Sequence, residues 1–416
     1  MPHSGHSPDA RKRYEELKAH PVALDLTRGK PCAEQLDLSN DLLTILERTD
    51  YRSADGTDCR NYGGLEGLPE ARALFGELLE VKADQVIIGG SSSLSMMYES
   101  IAHAVLHGVP DGTKPWGADK PRFICPCPGY DRHFSICEHL GIEMINVGMT
   151  HEGPDMEAVE RLASTDPRVK GIWLVPKYGN PTGVTLAPDV VKALAGMKTA
   201  APDFRILWDN AYVVHDLTGT PDELVDGFAA AEKAGNPNRI WLYGSFSKIT
   251  FAGASLAAMA ASRANVEWMR KHHANVTIGP DKVTQLRHAR FFKNLSGIRA
   301  HMQKHAAILR PKFEVVQGIL NRELGGTGLA TWTQPRGGYF VSLDTRQGCA
   351  TRAVQLAADV GVKLTPAGSA FPYRKDPLDR NIRIAPSFPS LSEVERAIEV
   401  LAISIKCASQ SASSSG

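Results

Sequence analysis

The chain has 416 residues, 43% hydrophobic and 22% charged, which is long enough for two domains around separate cores. A net charge of +1 offers no electrostatic footprint for nucleic acid or an acidic membrane surface as a partner. No apolar run approaches a membrane-spanning length, the start lacks the apolar core of a secretory signal, and seven irregularly spaced cysteines point to a reduced cytoplasm.

In chain order, residues 1 to about 22 are polar with a helical tendency and read as an arm lying on other structure. Leu24 and Leu26 lead into Thr27-Arg28-Gly29-Lys30-Pro31, a short extended segment and turn. Asp55-Gly56-Thr57-Asp58 and Tyr62-Gly63-Gly64 bracket a glycine-rich loop, and Pro69 opens a helix through Leu79. Val86-Ile87-Ile88 reads as a strand running through Gly89-Gly90-Ser91-Ser92-Ser93 into a helix that ends before Gly108. Free amides and the dipole at such a helix start favour an anion, and the glycines allow close approach, so this is the best phosphate cradle in the sequence. Taken alone, the same residues also simply make turns.

Residues 122–125 form another strand leading to Pro128-Gly129-Tyr130. Cys125-Pro126-Cys127 lacks a second cysteine pair and reads as structural thiols. Residues 171–176 form a strand followed by Lys177-Tyr178-Gly179-Asn180-Pro181-Thr182-Gly183, where Asn180, held extended before proline, aims its amide into a crevice. Ile206, Leu207 and Trp208 form a buried strand ending at Asp209, and residues 240–243 form a second, ending before Ser245 and Lys248. Between them Thr220-Pro221-Asp222-Glu223 predicts a helix start, with Gly235 and Pro237 as the stop. In such a strand, helix, strand unit Asp209, Tyr212, Ser245 and Lys248 should face one site beyond the carboxyl ends of the strands.

From Asn265 the pattern changes to long helices, with Leu295, Ile298, Met302, Ala306, Leu309, Phe313, Val316 and Leu320 spaced by three and four and Pro311 a kink. Such a helix suits a bridge between domains. Beyond it residues 338–343 read as a strand, 351–360 as a helix, 381–385 as a strand, and Ser390 with Glu393 as the capping box of a last helix. The serine-rich residues 409–416 read as disordered. His272-His273, His288, His301 and His305 read as solvated helix faces, and no metal centre is expected.

A lysine that becomes a neutral amine can form an imine with an aldehyde, and a buried aspartate can hold a heterocyclic nitrogen protonated. Pyridoxal 5'-phosphate uses both. Lys248 is the candidate for the imine and the proton transfer, Asp209 for the ring nitrogen, Tyr212 for the phenolic oxygen, and Ser245 and Ser247 for the phosphate. Arg383 stands in the apolar run NIRIAPSFP, where a charge demands an anionic partner, and its planar fork suits a carboxylate.

Asn180-Pro181-Thr182-Gly183, Asp209-Asn210-Ala211-Tyr212, Ser245-Phe246-Ser247-Lys248 and Arg383-Ile384-Ala385-Pro386 occur in the order found in fold-type I pyridoxal-phosphate aminotransferases, which the chain resembles from about Leu26 to Leu401. The stretches DCRNYGGL, GSSSL and KITFAG, beginning at Asp58, Gly90 and Lys248, resemble the aspartate aminotransferases of subgroup Ic, related to the aminotransferase-like domain of MocR regulators. The resemblance implies an α/β fold: a large cofactor domain (51–295) with a mixed, mostly parallel sheet between helices, and a smaller α/β domain from residues 296–408 with part of 1–50. It also implies Gly29 near the substrate, Tyr130 stacked on the pyridine ring, Asn180 on both the phenolic oxygen and the substrate carboxylate, and Arg383 as the clamp for that carboxylate. Tyr62 is implied to reach the phosphate in a neighbouring subunit, hence a homodimer with shared sites.

One position departs from the pattern. Ser255 stands where many relatives carry a phosphate-binding arginine, so the phosphate must lean on Ser91, Ser92, Ser93, Ser245, Ser247, Ser255 and backbone amides. Arg28, Arg60 and Lys177 are candidates for a substrate's distal carboxylate. The activity implied is transfer of the amino group of L-aspartate to 2-oxoglutarate, with amino and 2-oxo acids as partners. A β-lyase or decarboxylase is the alternative on the same scaffold. A cofactor-dependent sensor of the MocR kind is less favoured, because only about 25 residues precede the matched region and the charge balance has no DNA footprint.

Overall fold

Alternating side chains that are apolar on both faces build the larger sheet. The structure, a computed structural model, describes residues 9–413; residues 1–8 of the expected arm and 414–416 of the expected tail lie outside the described residues. Seven strands, β1 (Val86–Ile88), β2 (Arg122–Cys127), β3 (Glu143–Gly148), β4 (Val169–Leu174), β5 (Arg205–Asp209), β6 (Ile240–Ser245) and β7 (Ala257–Ala261), lie side by side in the order β1-β7-β6-β5-β4-β2-β3. Only β7 runs antiparallel to its neighbours. Ile172, Leu174, Ile206, Trp208, Ile240 and Leu242 enter one core, while Trp173, Leu207, Trp241 and Tyr243 enter another on the opposite face. A parallel sheet covered by helices on both sides needs apolar residues at every position, and each large side chain so buried contributes about 1.5–3 kcal/mol. The register pairs Leu174 with Trp208 and Asp209 with Tyr243, which brings the carboxyl ends of β4, β5 and β6 level.

A second core lies around a three-stranded antiparallel sheet of β8 (Ala330–Trp332), β9 (Val341–Thr345) and β10 (Asn381–Ile384), in the order β10-β9-β8. The helix Leu295–Leu324 joins the two cores: Ile298 and Met302 pack under the large sheet, and Leu309, Phe313, Val316 and Leu320 pack in the second core. It passes through Pro311 as one helix. The N-terminal segment belongs to the second core, because Leu24-Asp25 pairs in parallel with Val362-Lys363 and Tyr14 is buried there. The last helix opens with the expected reciprocal cap, Ser390 N donating to Glu393 Oε2 at 2.7 Å and Glu393 N to Ser390 Oγ at 3.4 Å.

Three expectations are corrected. The helix foreseen at Thr220 starts at Gly227 instead and runs Gly227–Lys233. Residues 220–225 are diverted by tertiary bonds: Asp222 accepts from Thr185 Oγ1 at 3.0 Å and pairs with Arg336 at 2.7 Å, and its amide donates to the Tyr178 hydroxyl. Asp226 provides the cap, its carboxylate accepting from the amides of Phe228 and Ala229.

The expected disordered tail is helical as far as residue 413, within the helix Leu391–Ser413, and Ser409 is buried with its hydroxyl donating to the Ile405 carbonyl. An apolar stripe carried by that helix against the second core outweighs its serine-rich composition. Finally, His273, His288, His301 and His305 are buried rather than solvated. Each meets a specific partner: Glu99, Thr250, the Ile249 carbonyl and Gln35, respectively.

Candidate active site

The candidate side chains gather where the parallel strands end. Asp209 closes β5, Ser245 closes β6 and Lys248 follows three residues later; Tyr130 follows β2, Asn180 follows β4, and Ser92 stands just before the helix Ser93–His107 that follows β1. Ser92, Ser93, Tyr130, Asn180, Asp209, Tyr212, Ser245, Ser247 and Lys248 line one cavity of about 170 Å³. The strand twist and crossover helices leave a crevice there, and the helix start at Ser93 directs its free amides into it.

Burial lowers the pKa of the Lys248 ammonium, with Asp209 acting in the opposite sense. Its Nζ lies 4.9 Å from the Tyr212 ring centre. The backbone carbonyl of Lys248 is held by the Tyr339 hydroxyl at 3.2 Å and approached by His215 Nε2 at 3.3 Å. His215 is kept neutral, its pKa lowered to about 3 first by burial and then by the Lys248 charge. Burial also raises the Tyr130 and Tyr212 hydroxyls, reinforced by the Asp209 carboxylate, so both remain donors at neutral pH.

Asp209 is 2% exposed and is the most informative group in the site. His133 Nε2 lies 3.0 Å from its Oδ2, and the His133 ring is stacked on Trp173 at 4.2 Å between centres. Its Oδ1 is buried and has no hydrogen-bond partner among the described residues. A buried carboxylate oxygen left without a donor is costly, so this atom calls for a cationic N–H from a bound group.

A wider cavity of about 720 Å³ shares Tyr130, Asn180, Tyr212 and Lys248 and opens outward past Arg28, Gly29, Phe340 and Arg383. Arg383 stands on β10 opposite Ser342 and donates to Asp131 Oδ1 at 2.8 Å, to Asn180 Oδ1 at 3.4 Å and to Thr365 Oγ1 at 3.2 Å. Its guanidinium lies 5.1 Å from the Phe340 ring centre. Gly29 is required beside that ring, because a Cβ there would run into Phe340. Lys30, Arg132 and Arg374 line the same opening.

Several anticipated residues lie elsewhere. Lys177 pairs with Asp216 at 3.6 Å and faces a different cleft. Arg60 pairs with Asp58 at 2.7 Å and lies over the Tyr51 ring. Ser255 is buried with its hydroxyl donating to the Leu256 carbonyl, and Ser91 contributes its carbonyl to the Ser247 hydroxyl. Tyr62 is 82% exposed. None of these five side chains lines either cavity of its own chain. Sequence reading missed His133, His215, Tyr339 and Asp131, which carry no local motif and reach the site only through folding.

The sequence profile of the family described as aspartate amino-transferase matches residues 4–415. The chain belongs to the aspartate aminotransferase family. An aspartate aminotransferase from Corynebacterium glutamicum is 49% identical over 395 residues, covering 95% of this chain and 91% of that protein. The crystal structure of an aspartate transaminase from the same species superposes with a TM-score of 0.95 at 48% identity, covering 97% of this chain and 95% of that one. An alpha-aminoadipate aminotransferase from Thermus thermophilus, solved with N-(5'-phosphopyridoxyl)-L-leucine, shares the fold at a TM-score of 0.76 and 19% identity, covering 99% of this chain and 100% of that one.

The family's cofactor is pyridoxal phosphate, and the site of this aminotransferase fits it. The unpartnered Asp209 Oδ1 suits a protonated ring nitrogen, the desolvated Lys248 amine suits the aldehyde, and the hydroxyls and helix start at Ser92 and Ser93 suit the phosphate.

Proposed function

We propose that this aminotransferase moves the amino group of L-aspartate to 2-oxoglutarate in two half-reactions, giving oxaloacetate and L-glutamate. The observation that carries the reading is Arg383, held with Asn180 in the same cavity as the Lys248 amine, below an opening lined by Arg28, Lys30, Arg132 and Arg374. Such an opening favours a substrate with a second carboxylate. The Corynebacterium relative named as an aspartate aminotransferase supports the same choice.

Bound pyridoxal phosphate supplies an electron-withdrawing ring conjugated to the reacting carbon. Asp209, steadied by His133, would hold the ring nitrogen protonated, while Tyr212 and Asn180 would serve the phenolic oxygen and Ser92, Ser93, Ser245 and Ser247 would hold the phosphate. Arg383 takes the substrate α-carboxylate in a two-pronged pair in place of Asp131. Lys248, desolvated and able to exist as the free amine, removes the α-proton. Tyr339 and His215 hold the Lys248 backbone so that the amine pivots about a fixed base.

We further propose a homodimer in a reducing cytoplasm, with Tyr62 crossing to the partner's phosphate. Its exposure and its absence from the lining of its own cavity support the crossing, and seven free cysteines suit the compartment. The direct test mixes purified holoenzyme with aspartate and follows the cofactor absorption. Conversion to the amine form with one equivalent of oxaloacetate, reversed by 2-oxoglutarate, is the expected result. Release of ammonia or carbon dioxide instead would make the protein a lyase or decarboxylase.

A further inference from the structure

Three histidines meet on the far side of the large domain from the cofactor. His103 and His107 lie four residues apart near the end of the helix Ser93–His107, which places them one turn apart on one face. His272 comes from the last turn of the helix Arg263–His273. One ring nitrogen from each of the three lies within 4.8 Å of the others. We propose that His103, His107 and His272 bind a divalent transition-metal ion of the zinc class, clipping the ends of these two helices together.

Two observations set this cluster apart from a chance stack of rings. Glu99 Oε1 lies 3.4 Å from His103 Nε2 and 2.6 Å from His273 Nδ1, the arrangement of a carboxylate that orients a metal-bound imidazole from behind. Both ring nitrogens of His103 are buried and neither makes a hydrogen bond among the described residues, which is a poor state for polar atoms unless something is bound there.

The geometry needs only small changes. The rings are 4.7 Å apart between His107 and His272, 5.0 Å between His103 and His272 and 6.0 Å between His103 and His107. Zinc held at about 2.0–2.1 Å by each nitrogen would need the three nitrogens about 3.3 Å apart, which side-chain rotation supplies. His107 is exposed, so an ion can enter from solvent and keep water as its fourth ligand. Trp268 packs edge-on to His103 and His272 and donates to the Gly108 carbonyl at 2.9 Å, which fixes the helix end carrying the site. His107 lies about 21 Å along the helix from the cofactor end, so the ion would brace the scaffold and take no part in transamination.

Chelator-treated holoenzyme titrated with Zn²⁺ by calorimetry should bind one ion per chain and gain unfolding temperature. Co²⁺ should show the visible absorption of a nitrogen-ligated, four-coordinate ion. His107→Gln and His272→Gln should each weaken Zn²⁺ binding at least about tenfold, and Glu99→Gln should weaken it by about tenfold to a hundredfold. His151→Gln, on an exposed side chain, is the control and should bind as the parent does. The exposed His107 variant should fold and transaminate normally, so it decides the matter even if a buried variant misfolds. Less than one ion per chain, or equal binding by His107→Gln and the parent, would overturn the site.

Discussion

Arg383 already pairs with a carboxylate, that of Asp131 at 2.8 Å, so the proposed clamp is buried and held in place before any substrate arrives. A lysine there keeps the charge and loses the planar fork. Arg383→Lys should lower kcat/KM for aspartate by about 10²–10³, the effect of breaking a desolvated two-pronged pair, with the cofactor absorption retained. Lys248→Ala should hold cofactor only noncovalently and lose transamination, which reduction with borohydride followed by mass analysis checks. In the proposed mechanism Asp209 acts through Oδ1, which has no hydrogen-bond partner among the described residues, while His133 occupies Oδ2. Asp209→Asn should therefore cut kcat by about 10²–10³, the usual effect of removing one preorganised charge partner, and stopped-flow single turnovers would show the loss in the chemical step. These residues were legible as Asp209, Lys248 and Arg383 in short motifs. His133 was not, because only the packing of its helix against β4 and β5 brings it to the carboxylate.

Among the elements, periodicity was a sound guide wherever burial decided the structure and a poor one where side-chain bonds did. Strands β4, β5 and β6 read plainly as apolar runs because both of their faces are covered. The start of the helix Gly227–Lys233 did not, since Thr220-Pro221-Asp222-Glu223 has the composition of a cap while Asp222 is committed to Thr185 and Arg336. The two starts make opposite predictions. Asp226→Ala should destabilise by about 1 kcal/mol in denaturant titrations, and Thr220→Ala should change stability by less than about 0.5 kcal/mol. The histidines show the same limit from the other side, because a polar residue on a helix says nothing of what the facing element offers it.

For the molecule as a whole, acid sensitivity follows from the neutral buried histidines. Burial lowers His215 to about 3, His288 to about 4 and His305 to about 3, whereas the unfolded chain protonates histidine near 6.5. The unfolded state therefore binds more protons below pH 6.5, and stability must fall as pH drops from 6.5 towards 3. Each such group contributes a slope of up to about 1.4 kcal/mol per pH unit. Glu99 and Glu323, lowered to about 2, add a loss of the same sign below about pH 4.5. Unfolding temperatures measured from pH 7 to 4 should decline steadily, and His288→Asn should flatten the decline. The shared-site reading makes a separate prediction at this scale. Tyr62→Ala and Lys248→Ala chains, each impaired alone, should regain activity when unfolded together and refolded as a mixture, because one of the two sites in a mixed dimer is intact.

The sequence by itself determined the covered parallel sheet, the lysine and aspartate at the ends of successive strands, and the arginine whose charge had no place in an apolar run. These are local facts, since an apolar strand and a short motif carry their meaning in adjacent residues. Tertiary structure alone decided which of Arg28, Arg60 and Lys177 reaches the cavity, which serines line it, and that His133 backs Asp209. Those depend on how side chains hundreds of residues apart compete for the same few partners, and that competition is settled only when the two cores close around the crevice.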